Sequence, residues 1–190
     1  MFRAALSVAL VCLVALVGGA GSVAYVLASG YSFGAVRIGP WTAFPEMGTR
    51  EADPYAQAEV AIEGILSLGR AEGIGFVAER DSAGALLDAN CTYLLAGQGP
   101  PGRFWTLRTE PSGRAASGTE PAIHSRGLLR KPDNSVEIAI GRKPFPGNWL
   151  PVRGPGRLRL VLTVYDGSAT TGPVSTDVAM PEIRRIGCDA

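Results

Sequence analysis

Hydrophobic and polar positions obey three different rules in succession along this chain. From Ala4 to Val36 no residue is charged. Within that stretch Ala4–Ala28, AALSVALVCLVALVGGAGSVAYVLA, is almost wholly apolar or small. As a helix it would run roughly 37 Å at about 1.5 Å per residue. A bilayer core of about 30 Å needs about 20 apolar residues. The segment predicts a membrane-spanning helix. The competing reading is a cleaved signal peptide, since YVLASG offers small residues near Ala28. The apolar run exceeds an h-region of about 7–15 residues, which favours a retained anchor.

The second rule is a spacing of three and four. In DPYAQAEVAIEGILSLG, Asp53–Gly69, the positions Tyr55, Ala58, Ile62, Ile65 and Leu66 form one apolar stripe. Asp53 suits the N-cap, Pro54 the first helical position, and Gly69 the stop. This predicts one amphipathic helix. The stretch before it, Ser29–Ala52, carries Gly30, Gly34, Gly39, Pro40, Pro45 and Gly48 and predicts an irregular connector. Its Trp41 and Phe44 have two readings, at the membrane interface or tucked against the body.

The third rule is period two. Candidate strands are Ile74–Arg80, Cys91–Gly97, Arg103–Thr109, Asn134–Gly141 and Arg157–Tyr165, with a last short run at Pro181–Gly187. Arg157–Tyr165 is the clearest: Leu158, Leu160, Leu162 and Val164 point one way, and Arg157, Arg159, Val161, Thr163 and Tyr165 the other. Short strands separated by Gly/Pro/Ser/Asp turns predict an antiparallel sandwich or barrel. No helices fall between them, which argues against a parallel α/β sheet. The predicted organisation is a transmembrane anchor at 1–28, a connector at 29–52, and a mainly β domain with its leading helix at 53–190. In the segment Gly147–Pro155, flanking and internal prolines remove backbone donors, so it cannot be a central strand. It reads as a rigid crossing between sheets, closed by Trp149 and Leu150, or as a loop that presents Asn148 and Trp149 to a ligand.

Charge sharpens the picture. The chain has 18 Lys+Arg and 17 Asp+Glu; Arg3 alone precedes the span, leaving the body with 17 of each. A neutral body has no electrostatic footprint for nucleic acid. The basic cluster RGLLRK, Arg126–Lys131, reads as a solvated edge. Arg3 and the amino terminus before the span favour a cytoplasmic start and an exported body. In a bacterium that is a single-pass inner-membrane protein with a periplasmic domain. Cys12 lies in the span. Cys91 and Cys188 form an even pair in the body, and an oxidising compartment predicts a disulfide between them; two buried thiols are the alternative.

Candidate chemistry is sparse. One histidine, His124, cannot by itself supply the His or Cys set of a usual transition-metal site. There is no GxSxG elbow, P-loop or dinucleotide fingerprint. No catalytic residue, metal or cofactor is therefore assigned. Arg103, His124, Asn148 and Trp149 are the candidate ligand-facing residues. Arg103, Trp105 and Arg108 share one strand that would either line a groove or place Trp105 in the core. Convergence of Arg103, His124, Asn148 and an Asp in one cleft would favour an enzyme; scatter would count against one.

Several stretches together resemble the bacterial proteins grouped as domain of unknown function 1214. They are DPYAQAEVAIEGILSLGRAEGIGFVAERDSAGALLDANCTYLLAGQGPPGRFWTLRT, PFPGNWLP, LRLVLTVYD and MPEIRRIGC, over roughly residues 40–188. The turn-and-strand at Pro100–Trp105 and the turn at Gly147–Pro151 carry it most specifically. RTEPSGR departs from the Tyr-Asp turn expected there. The resemblance implies a jelly-roll-like β-sandwich on a single-span exported protein, and it implies no reaction. The expected role is an envelope binding module, with the lipid bilayer as partner through residues 4–28 and another envelope protein as a candidate partner. The alternative is a hydrolase or carbohydrate-active enzyme working from a sandwich cleft.

Overall fold

The computed structural model describes residues 2–28, 34–47, 49–50, 52–54, 57, 61, 68, 72–112, 119–166 and 178–189. The first element is α1, Phe2–Ala28. From Arg3 to Tyr25 every residue is exposed, so over that length α1 packs its apolar surface against nothing among the described residues.

Ten strands follow among the described residues: β1 (Val36–Ile38), β2 (Trp41–Ala43), β3 (Gly73–Ala78), β4 (Cys91–Gly97), β5 (Phe104–Pro111), β6 (Ala122–His124), β7 (Val136–Gly141), β8 (Asn148–Pro151), β9 (Leu158–Tyr165) and β10 (Glu182–Cys188). They form a six-stranded sheet, β1-β2-β3-β9-β5-β6, and a four-stranded sheet, β10-β4-β7-β8. One buried cluster draws side chains from both sheets, among them Phe76, Leu107, Leu160 and Leu162 from the first and Tyr93, Leu95, Ile138, Leu150 and Ile183 from the second. The expected mainly β, two-sheet sandwich with an N-terminal apolar helix is what the chain forms.

Three readings need correction. The connector is not irregular throughout. Val36–Ala43 makes a hairpin that joins the six-stranded sheet. Its two-residue loop is Gly39-Pro40, with Gly39 at φ +57°, the left-handed value that such loops require and glycine adopts without strain. Trp41 is fully buried, and its indole N–H donates to the Pro181 carbonyl at 2.8 Å. Trp41 therefore tucks into the body. The sheets are also not purely antiparallel, because β7 and β8 run parallel. Parallel neighbours usually need a crossover of about a dozen residues. Here Arg142–Gly147 suffices. The register Ile138↔Asn148 and Gly141↔Pro151 asks the chain to step back three residues, roughly 10 Å, within the reach of an extended six-residue link. Finally, β9 is closed on both faces: Leu158, Leu160, Leu162 and Val164 face the core, and Val161 and Thr163 on the other side are buried too.

Of the helix expected over Asp53–Gly69, most lies outside the described residues. Pro54, Gln57 and Ala61 are helical, and the Gln57 N–H donates to the Asp53 carbonyl at 3.1 Å.

Cys91 and Cys188 face each other in the β4–β10 ladder and are joined by a disulfide across 97 residues of sequence. The β3–β4 turn is hooked to the same last strand. Ser82 N–H donates to the Ile183 carbonyl at 2.8 Å, and Ile183 N–H donates to Ser82 Oγ at 2.9 Å.

Candidate functional site

The four-stranded sheet turns a face of mixed large and small residues away from the core. One row across it, set by register, is Arg184, Leu94, Ala139 and Trp149. The β7–β8 loop and the Leu129–Lys131 segment wall this face into an open groove of about 210 Å³. Leu94 and Ala139 form the floor, Phe145 and Pro146 one side, and Leu129, Arg130 and Lys131 the other. The floor is shallow because strand alternation places a leucine, an alanine and the glycine of Gly141 on this side, while Ile138, Ile140 and Leu150 go inward.

Asn148 sets the geometry. Its side-chain carbonyl accepts the Leu129 N–H at 2.8 Å; its amide donates to the Leu129 carbonyl at 2.8 Å and the Glu137 carbonyl at 2.9 Å. Both amide protons are used, so Asn148 is a staple between β8, β7 and the 129 segment more than a ligand donor. Trp149 is half-buried, and its indole N–H donates to the Gly141 carbonyl at 3.0 Å. Leu150 enters the core, whereas Trp149 lies beside the groove on the outer row and does not plug the sandwich.

The groove is mixed in charge. Lys131 pairs with Glu137 at 2.6 Å. Arg130 reaches the Asn134 carbonyl at 3.2 Å and the Ser125 carbonyl at 3.4 Å. Below Lys131 the turn at Lys131–Ser135 is tied by Asp133, whose carboxylate accepts Ser135 O–H at 2.7 Å and Ser135 N–H at 3.0 Å. These bonds hold the Asp133 carboxyl below its ordinary value. Asn134 supplies the left-handed residue of that turn at φ +65°.

The other two candidates sit on the six-stranded sheet. Arg103 pairs with Asp166 at 3.2 Å, both well exposed. His124, paired with Thr106 on β5, stacks at a tilt on Phe104 with 5.8 Å between rings. Phe104 also meets Tyr165 at 5.7 Å and Arg126 at 5.9 Å. No hydrogen bond or ion pair among the described residues joins Arg103 or His124 to Asn148 or Trp149. The four residues thus fall into two pairs on different sheets.

Trp105 is a core residue, 3% exposed. Arg108 is committed to Glu110, a carboxylate only 2% exposed on the outer side of β5. Arg159 of β9, directly opposite in register, binds the second oxygen of Glu110 at 2.9 Å. No group of three or more His, Cys, Asp or Glu able to hold a metal occurs among the described residues.

Sequence reasoning missed most of the groove. Arg130 and Lys131 were visible only as a basic cluster, and Leu94 and Ala139 only as strand residues. The one local signal was KPFPG, where an apolar ring stands between two prolines.

A family model described as Protein of unknown function (DUF1214) matches residues 72–169, just over half of the chain. Among solved structures, the VPA0106 protein from Vibrio parahaemolyticus is similar at 20% identity and TM-score 0.54, over 72% of this chain and 36% of that one. An uncharacterized protein from Burkholderia cenocepacia is similar at 17% identity and TM-score 0.43, over 77% of this chain and 47% of that one. The chain therefore spans less than two thirds of either. The first likeness supports the two-sheet fold alone. No curated protein matches the chain significantly.

Proposed function

The chain belongs to the DUF1214 family of proteins of unknown function, and from that premise we propose that it is a membrane-anchored, exported β-sandwich that binds a ligand or another envelope protein through the groove of its four-stranded sheet. The observation that carries this reading is α1. It exposes every residue from Arg3 to Tyr25 while the body closes a core of its own. An uncharged helix of this length finds its solvent in a bilayer. Arg3 in its first turn and the absence of charge from Ala4 onward favour a cytoplasmic start, by the positive-inside bias. The Cys91–Cys188 bridge supports an oxidising compartment for the body, such as a bacterial periplasm.

The groove supports binding more than catalysis. Its polar groups are already engaged with one another, and the four candidate residues are split between two sheets. A cleft enzyme would require them to converge. The neutral body favours a partner other than nucleic acid.

A C-terminal fusion to an alkaline phosphatase active only outside the cytosol is expected to be active, and the chain is expected to resist alkaline carbonate extraction. A silent fusion on a chain that is expressed overturns the export. Affinity purification from membranes is then compared between the unmodified chain and Phe145→Asp/Lys131→Glu. Both positions are exposed, so the fold is left intact. A co-purifying species that survives the double substitution unchanged would place binding elsewhere.

A further inference from the structure

Outside α1, the exposed large apolar side chains among the described residues are Leu129 (69% exposed), Phe145 (48%) and Ile186 (54%). All three belong to the four-stranded half. Leu129 is stapled to Asn148 of β8, Phe145 lies in the β7–β8 loop, and Ile186 is on β10. Leu129 and Phe145 wall the same groove. Each has cations close in sequence: Arg130 and Lys131 follow Leu129, Lys143 precedes Phe145, and Arg184 and Arg185 precede Ile186. Phe145 is held out stiffly, since Pro144 and Pro146 fix φ on either side of it.

Resting on the reading of α1 as an anchor, we infer that this face lies on the surface of the bilayer in which α1 is embedded, with Phe145 and Leu129 in the headgroup layer. Apolar side chains bracketed by Lys and Arg are the composition of interfacial elements. The tether makes a weak contact sufficient. Seven residues, eight Cα steps, separate Ala28 from Val36, a reach of at most roughly 28 Å, so the body never leaves the neighbourhood of the membrane. Charge selects the apolar contact as the main term. Lys131 and Lys143 keep carboxylate partners in Glu137 and Asp189, so the rim carries little net positive charge. Attachment is accordingly expected to vary little with salt.

The test uses the full chain with Phe145→Trp, reconstituted in vesicles of phosphatidylethanolamine and phosphatidylglycerol carrying brominated acyl chains. Emission is compared with that of the unmodified chain, so that Trp41, Trp105 and Trp149 are subtracted. The added indole is expected to shift to the blue on reconstitution and to be quenched by bromine. Leu129→Trp should behave alike, which covers the case of one variant folding poorly. Arg103→Trp, just before β5 of the other sheet, should stay unquenched, and adding Leu129→Asp should abolish the quenching at 145. A chain that resists carbonate extraction yet shows no quenching at 145 or 129 overturns the inference alone and leaves the face to a protein partner. A chain released by carbonate overturns the anchor and this inference together.

Discussion

Asn148 and Leu129 exchange two hydrogen bonds, each of 2.8 Å, through one side-chain carboxamide and one backbone residue. This closes a small ring that fixes the 129 segment against edge strand β8 and so builds one wall of the groove. Asn148→Ala strands the Leu129 N–H and the Glu137 carbonyl together, and is expected to cost about 1–3 kcal/mol. Asn148→Asp should cost more, because a carboxylate cannot donate to the two carbonyls that Asn148 serves. Urea unfolding checks both, with the midpoint moving and the slope unchanged.

Trp41 and Pro181 tie the first hairpin to the start of the last strand. Trp41→Phe keeps most of the buried ring but leaves the Pro181 carbonyl without that donor. The expected loss is about 1–2 kcal/mol. Trp41→Ala adds a cavity and should cost about 3–5 kcal/mol. Thermal unfolding of the two variants separates the hydrogen bond from the packing.

The disulfide closes a long loop, with 97 residues of separation. On the chain-entropy account such a crosslink contributes up to about 4–5 kcal/mol. Cys91→Ala/Cys188→Ala should therefore lower Tm by up to roughly 8–20 °C for a domain of this size. Added dithiothreitol should lower the Tm of the unmodified chain toward that of the variant and leave the variant where it is.

Much of this architecture can be read from the residues. The strand Cys91–Gly97 agrees with β4 at both ends, and β9 lies one residue inside its expected start, because seven or eight residues of alternation leave little ambiguity. The three-residue strands β1, β2 and β6 are too short to show a period, and Gly39-Pro40 resembles loop composition as much as it does a hairpin turn. The parallel pairing of β8 was hidden by its prolines. They were read correctly as forbidding a central position, and an edge position remained open to them. The groove was illegible for another reason. Leu94, Leu129, Ala139 and Phe145 come from separate segments, and only the register of three strands and a loop brings them together.

Asp133 gives a pH dependence. Ser135 O–H first, and Ser135 N–H next, stabilise its ionised form and lower its pKa in the folded chain below 3.8. The unfolded chain then binds more protons in the window below about 3.9, and stability rises with pH there. The contribution is fully present above that value and is lost as pH falls through the lower, folded pKa. Comparing Tm between pH 2 and 6 for the unmodified chain and Asp133→Asn, the variant should lack this part of the acid-side fall. The carboxylate is solvent-exposed, so the difference is expected to be small.

Glu110 is a buried charge of the body, held by Arg108 and Arg159. Glu110→Ala leaves Arg159, itself largely buried, without that carboxylate, and is expected to cost about 3 kcal/mol or more. The pair Glu110→Leu/Arg159→Leu should recover much of that loss. A double-mutant cycle on urea midpoints checks it, and strict additivity of the two single changes would contradict the coupling.

The final strand completes three things at once: an edge of the four-stranded sheet, the carbonyl that receives Trp41, and the thiol that receives Cys91. Everything that seals the two ends of the body together is thus deferred to residues 181–188. A growing or translocating polypeptide can lay down its hairpin and central ladder early, but this body reaches its finished state only after residues 181–188 have emerged. Premature termination anywhere upstream yields an unlatched product, the natural target of a quality-control protease.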